Sequence, residues 1–503
     1  MEGFTKITNN QIAKLVEIPI LSYTILRDKI IADFKKRQLR CIGFFGVEES
    51  IDTVRLFVLL SEDSKHLIHI SSAHLDKNSS YESITKEISS FHMYERDFYE
   101  EFGIKIDGHP WLKGVNFRTG RANEESCMEN YPFFKMDGES LHEVAVGPIH
   151  AGVIEPGHFR FLCNGEQVYH LEIQLGYQHR NIENLFLERN LKFMPHLAES
   201  IAGDTVIGHN LACLNLIEAL TQTIIPDRAI LIRTIALEME RAAIHLADLS
   251  ALANDIGYLM GSSVFGVTRT IIINTLLLIC GNRFGRGLMR PGGCVFDIHK
   301  ALTEKIRTNL SKVKEDTIRM AETMFKSHTV ASRFENTGIL TKEEAISIGA
   351  VGMTARASSY NVDARHSHPF GFYKKLLLGE KTHKKGDVHS RAYLRYEEII
   401  ESIEIVFTLL NELEDKKTGT QIMTKIKDKF QPSSLVVSIV EGWRGEIIHC
   451  AITNNEGDLL KYKIKDPSLT NWFALALAVR NNGISDFPLC NKSFNLSYCG
   501  NDL

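Results

Sequence analysis

The chain has 503 residues, 44% hydrophobic and 24% charged, with a formal net charge of −4. That balance belongs to a globular protein with enough chain for two or three cored domains. It excludes the strongly basic surface that nucleic-acid binding requires, so no nucleic-acid partner is expected. Nine cysteines are scattered with no Cys-x-x-Cys pair, which argues against both a thiolate-held metal and a disulfide framework.

The start, MEGFTKITNNQIAKL, has no secretory pattern. No apolar run reaches the roughly 18 residues of a membrane span; the strongest, IIINTLLLIC at 271–280, is closed by Gly281 and Arg283. Membrane attachment is therefore expected through partners. Residues 1–115 read as a small α/β domain, because CIGFFGV, TVRLFVLLSED and HLIHISSAHL are apolar or alternating runs of strand length. A helix is expected over Ser83–Phe91. In YERDFYEEFG, Glu95, Arg96, Glu100 and Glu101 make a charged helical face beside Phe98, Tyr99 and Phe102, read as a docking surface. Gly103 ends that helix. Residues 116–140 mix polar, glycine and aromatic residues without period and read as a linker.

The third region, 141–503, begins with a predicted hairpin: Phe159, Phe161 and Val168 flank a turn at Asn164-Gly165. Pro226–Ala253 is the clearest long helix, opened by proline and rich in Ala, Leu, Ile and Met. On it Glu238, Arg241, His245 and Asp248 follow at i, i+3, i+7 and i+10, a single polar stripe. The other faces are apolar, so the stripe is internal and needs partners. It is either an ion-paired network or a proton relay, since carboxylates and imidazole exchange protons. The glycines and arginines of CGNRFGRGLMRPGGCVFDI, 280–298, match neither a dinucleotide fingerprint nor a P-loop. A helix is expected over Ala301–Phe325, a capped helix after Thr341, and an ion pair between Asp363 and Arg365. His366 and His368 read as loop histidines. Arg391 and Arg395 sit at i, i+4 on another helix, Lys374–Lys385 is a basic loop, and the C-terminal part reads as strands followed by a helix after Pro467-Ser468.

YERDFYEEFG, GPIH, EPGHFRF, HRNIENL, the His209-Asn210 pair nine residues ahead of Glu218 and the Arg-Pro-Gly-Gly element follow one another along the chain. Together they resemble group 4, membrane-linked [NiFe] hydrogenase large subunits and the quinone-site subunit of respiratory complex I, fused behind its small hydrophilic neighbour. The resemblance implies an α+β chain: an N-terminal α/β sandwich-like domain fused to a large, mainly helical domain with small β elements. It implies a small Fe–S partner subunit and membrane-arm, ion-translocating partners, hence a cytoplasmic place, peripheral on the inner face of the membrane.

In the hydrogenases four thiolates hold the metals; here the matching positions are Ala202, Thr205, Ser497 and Gly500. Methyl and hydroxyl groups cannot replace soft sulfur ligands, so hydrogen chemistry at such a centre is not expected. The quinone-site histidine position falls on Pro156, with His150 and His158 nearby, and the tyrosine region reads SIAGDTV. The candidates left for proton transfer are Asp204, His209, Glu238, Arg241 and His245. Those left for a quinone or polar ligand are His158, Thr205, Asp363 and Arg365, and one emptied cavity is expected to gather Asp204, Thr205, His209, His158, Glu199 and Asp363. The expectation is a subunit with no cofactor of its own, coupling electron transfer from a partner's Fe–S cluster to ion movement. Its rivals are a complex I-like subunit contributing to quinone binding and a non-catalytic docking subunit. No Rossmann fingerprint supports a soluble NAD-binding dehydrogenase.

Overall fold

The computed structural model describes residues 1–503 apart from 123, 125–126 and 151–153. Residues 151–153 of the predicted hairpin region lie outside the described residues. The three β-rich runs near the start form an antiparallel set, Arg40–Glu48, Thr53–Glu62 and Leu67–Asp76, with Thr5–Ile7 on the outer edge. Ile20–Leu21 adds to the same strand in parallel. One face packs on the Tyr23–Arg37 and His92–Phe102 helices through Phe44, Phe91 and Phe98.

The other face carries Phe45, Phe57 and Leu59, and meets a second sheet through Leu435, Val437 and Ile439. That sheet is ordered Leu459–Lys465, Glu446–Thr453, Ser434–Glu441 and Ile12–Lys14. The segment at residues 12–14 therefore pairs with a strand more than 400 residues away, Ala13 opposite Leu435. Strands 434–441 and 446–453 are buried along their whole length, polar Ser438, Glu441, Glu446 and His449 included. At this joint Arg40 lies 2.7 Å from Asp63 and 2.7 Å from Glu446.

No α-helix forms over Ser83–Phe91, which holds only a 3-10 turn at Ser89–Phe91; the charged helix ended by Gly103 spans His92–Phe102. Glu95 is the reason: it accepts from the Ile84 and Thr85 N–H groups and from the Ser83 and Thr85 hydroxyls at 2.6–3.1 Å, holding the preceding chain in a turn. Glu95, Arg96 and Glu100 are buried, so the charged face expected for docking is internal. Glu100 accepts from the N–H groups of Val115, Asn116 and Arg118 and ties down the following irregular segment.

A helical bundle forms the largest core. The Asp227–Asp255 helix runs through it, contacted by Leu259–Cys280 and Val388–Glu414, with Lys300–Phe325 outside. The run 271–280 is the second half of the 22-residue Leu259–Cys280 helix, closed by Gly281 in the left-handed region (φ 76°). By length and composition alone it could cross a membrane. Here its inner face packs on the bundle through Phe265, Ile272 and Leu276. The hairpin His158–Asn164/Gln167–Gln174 takes Leu141–Val146 as a third strand. It covers a smaller core with the Ser468–Ala478 helix.

Candidate functional site

The polar stripe is the spine of a buried network. Arg241 is oriented by two carbonyls, Gly442 O at 2.9 Å and Glu441 O at 2.7 Å, and stands 3.3 Å from Glu238 and 3.7 Å from Glu398. His245 Nε2 lies 2.9 Å from Glu398. Asp248 pairs with Arg395 at 2.7 Å. The Gly352–Arg356 helix brings Arg356 to 2.5 Å from Glu398. The short helix after Asp363, which caps it by accepting from Arg365 N–H, brings in the Asp363–Arg365 pair at 2.7 Å. Arg365 reaches Glu238 at 3.7 Å and Glu401 at 3.3 Å, and Glu401 meets the partly exposed Lys381 at 3.1 Å. Tyr373 and Ser402 donate to Glu238.

Burial alone would raise every carboxyl here. Arg356, the His245 hydrogen bond and Arg241 overcome it at Glu398 and hold that group well below the usual range. Arg241 and Arg365 do the same for Glu238, Arg365 and Arg356 for Asp363, and Arg395 with His245 for Asp248. Glu441 goes the other way. Burial and then Asp363 push it up to about 8, and Arg356 and Arg241 only partly offset this. With Glu441 protonated, Glu238, Asp248, Asp363, Glu398 and Glu401 face an equal number of cations, Arg241, Arg356, Arg365, Arg395 and Lys381. Matching of this kind is what makes so many buried charges tolerable.

Asp204 joins this network from the other end. It pairs with Arg444 at 2.6 Å, and Arg444 Nε donates to Asn495 O at 2.5 Å. The Asn495 amide then donates to Asp248 at 2.6 Å. Contacts therefore run from Asp204, which is partly exposed, to Lys381. Thr205 Oγ1 accepts from Trp443 Nε1 at 3.1 Å and from Arg444 at 3.2 Å. Arg444 stacks 3.9 Å over the Trp443 ring.

His209 belongs to a second assembly. It is fully buried, its Nε2 3.0 Å from Asp466 and its Nδ1 3.2 Å from His449 Nε2. His449 Nδ1 lies 2.7 Å from the Tyr462 hydroxyl. With neutral rings the hydrogen bonds form one directed line: Tyr462 O–H to His449, His449 Nε2–H to His209, His209 Nε2–H to the Asp466 carboxylate. Burial, and then His209, hold His449 well below the usual imidazole value. Asp466 is held low against burial by the His209 hydrogen bond and Arg444.

The candidates therefore do not share one cavity. Glu238, Arg241, His245, Asp363 and Arg365 form the ion network, Asp204 and Thr205 adjoin it through Arg444, and His209 sits in the separate relay. Glu199 is bound elsewhere, by Arg290 at 2.7 Å and Asn210 at 3.0 Å. His158 opens a strand of the three-stranded sheet, its ring 5.1 Å from that of Phe133 and its Nε2 buried without a partner. The reason is that packing around the Asp227–Asp255 helix and under the 446–453 strand separates what chain order placed side by side. Sequence reasoning missed Arg356, Glu398, Glu441, Arg444, His449, Tyr462 and Asp466. Glu398 and Arg395, three apart and one turn beyond Arg391, carried the one available signal. Strand-borne Glu441 and His449 carried none beyond being polar residues in largely apolar runs.

The four positions matched to metal-binding thiolates do not suit a soft metal. Ala202, Thr205 and Ser497 are buried, and the Thr205 hydroxyl is committed to Trp443 and Arg444. A Cβ at Gly500 would lie 2.7 Å from the Asp466 carboxyl carbon. Among the described residues no cluster of three or more His, Cys, Asp or Glu forms a metal site.

Residues 255–502 match the family described as respiratory-chain NADH dehydrogenase, 49 Kd subunit. Residues 24–133 match respiratory-chain NADH dehydrogenase, 30 Kd subunit. The chain is 30% identical over 349 residues to an NADH-quinone oxidoreductase subunit of Chloroherpeton thalassium, covering 64% of this chain and 78% of that one. It is 28% identical over 366 residues to the membrane-bound hydrogenase subunit alpha of Pyrococcus furiosus, covering 70% and 85%. Against hydrogenase-4 component G of Escherichia coli identity is 27% over 397 residues, covering 79% and 68%. A chain in the solved structure of a membrane-bound sulfane sulfur reductase, an archaeal respiratory membrane complex, superposes with a TM-score of 0.67 at 21% identity, over 74% of this chain and all of that one.

Proposed function

The chain belongs to the 49 Kd subunit family of respiratory-chain NADH dehydrogenases, with a 30 Kd-type region ahead of it, and from that premise we propose that it works by moving protons rather than by holding a metal. It is a hydrophilic-arm subunit of a membrane-bound, energy-converting oxidoreductase complex. It lies peripherally on the cytoplasmic face of the membrane, against a small Fe–S subunit and above ion-translocating membrane-arm subunits. Electrons arrive from the partner's cluster. This chain answers their charge by shifting protons along the buried network, so that electron transfer and ion movement are linked.

The observation that carries the reading is the series of ion pairs and hydrogen bonds from Asp204 through Arg444, Asn495 and Asp248 to His245 at 3.9 Å, and on through Glu398, Arg241, Glu238, Arg365 and Glu401 to Lys381. It coexists with a loop and tail whose former ligand positions are filled by groups that cannot bind nickel. A quinone, where the complex uses one, has His158 as its candidate hydrogen-bond partner, because that ring keeps a buried nitrogen unpaired.

The test is purification of the assembled complex, with metal analysis and coupled turnover. Iron is expected in the amount of the partner's clusters, and nickel below stoichiometry. Glu398→Gln in the assembled complex is expected to lower proton-coupled turnover at least tenfold. Stoichiometric nickel, or undiminished ion pumping with Glu398→Gln, refutes the proposal; the latter outcome leaves a docking role.

A further inference from the structure

Two cavities abut in the joint between the N-terminal sheet and the C-terminal sheet and tail. The inner one reaches Asp466 and Gly500; the outer one ends at Trp111, Phe473 and Ile173, which are partly exposed. Met93, Val115, Leu469 and Asn501 line both. Each leaves about 40 Å³ free for water, room for roughly three molecules at about 10–15 Å³ apiece.

The walls carry polar atoms that the protein does not satisfy. His92 keeps both ring nitrogens without a hydrogen bond, and the amide oxygens of Asn116 and Asn501 are likewise unpartnered. These side chains are 5%, 6% and 3% exposed. Buried polar atoms in native proteins are almost always paired, by water where protein groups are missing. Space, unsatisfied donors and acceptors, and a partly exposed mouth therefore coincide along one line. At its inner end stands the carboxylate that holds His209. Gly500 keeps that end clear, because a Cβ there would meet Asp466 Oδ2 at 2.8 Å.

We infer that a file of water molecules fills this joint and passes protons between solvent and the Asp466–His209 pair, a route distinct from the Asp204–Lys381 network. His209 passes its Nε2 proton to the Asp466 carboxylate while its Nδ1 takes the Nε2 proton of His449 and His449 Nδ1 takes the Tyr462 hydroxyl proton, so the negative charge moves from Asp466 to the Tyr462 oxygen and the hydrogen bonds of the relay reverse direction. The neutral Asp466 acid exchanges its proton with the water file. The same steps backwards restore the resting line with a solvent proton on His209 Nε2. The relay thus trades its protons with bulk solvent through the seam between the two parts of the chain, with no net proton gained. This goes beyond the proposed function and does not depend on which electron acceptor the complex uses.

The test has two readouts on the full-length chain. High-resolution density is expected to contain waters within hydrogen-bond distance of His92, Asn501 and Asp466; a dry joint, or a non-water ligand filling it, overturns the inference. With nitrogen-15-labelled histidine, exchange of the His209 ring proton with solvent is followed by NMR. Asn501→Leu, at the place where the cavities meet, is expected to slow that exchange at least tenfold, and Asn501→Ser to leave it within twofold of wild type. Leu469→Phe provides an independent plug from a partly exposed position and is expected to slow exchange likewise. Folded plugged variants that exchange at the wild-type rate overturn the route.

Discussion

Glu398 tests the network most directly. Its carboxylate is 0% exposed and faces Arg356 at 2.5 Å, His245 at 2.9 Å and Arg241 at 3.7 Å. Glu398→Gln keeps the shape and removes one negative charge, leaving two buried guanidiniums short of a counter-ion. Breaking one side of a buried pair costs about 3–5 kcal/mol, whereas Glu404→Gln, which loses only the exposed contact with Lys314, should cost about 0–1 kcal/mol. Urea titration of both variants beside wild type measures the contrast. The pH dependence follows from the depressed carboxyl of Glu398. Its contribution is complete above the unfolded value near 4.5 and fades as pH falls toward the folded one. The gap between wild type and Glu398→Gln should therefore be flat at neutral pH and narrow below about pH 4.5. A loss below about 1 kcal/mol at pH 7, or a gap that widens in acid, refutes the argument that these charges are mutually dependent.

Glu441 has the opposite sign. Its folded carboxyl sits up at about 8, so the folded state holds a proton that the unfolded chain releases, and stability falls as pH rises from about 4.5 to 8. Glu441→Gln should flatten that slope and unfold at higher urea than wild type at pH 8.5. Arg40→Met leaves Asp63 and Glu446 facing each other across the joint, where Arg40 and Lys465 now hold Glu446 down to about 2 against burial. A loss of about 3–5 kcal/mol and earlier proteolysis between the two sheets are expected. Gly352 has φ +60°, and a Cβ there would collide with Gly445 Cα and Arg444 O. Gly352→Ala should cost about 2–5 kcal/mol by strain and overpacking and displace Arg444 from Asp204, seen as lower urea resistance together with a weakened Asp204–Arg444 contact in the variant's structure.

Local pattern determined the elements. The apolar runs at 40–76, the helix opened by Pro226, the capping box at Thr341 and the hairpin around Gly165 each follow from short-range propensity and period. The polar stripe of Glu238, Arg241, His245 and Asp248 was legible for the same reason: spacing along one helix is a local quantity. The absence of thiolates at Ala202, Thr205, Ser497 and Gly500 was legible because it is a matter of residue type. Tertiary structure alone decided what the stripe meets. Glu398, Arg356, Arg365 and Glu441 come from separate segments, and His209 finds Asp466 across 257 positions. Only packing decided that Glu95 and Glu100 face inward, since their hydrogen-bond partners lie in loops with no pattern of their own. The water-lined seam belongs wholly to tertiary structure, because a cavity is a property of two surfaces that fail to close on each other, and neither surface carries that failure in its own sequence.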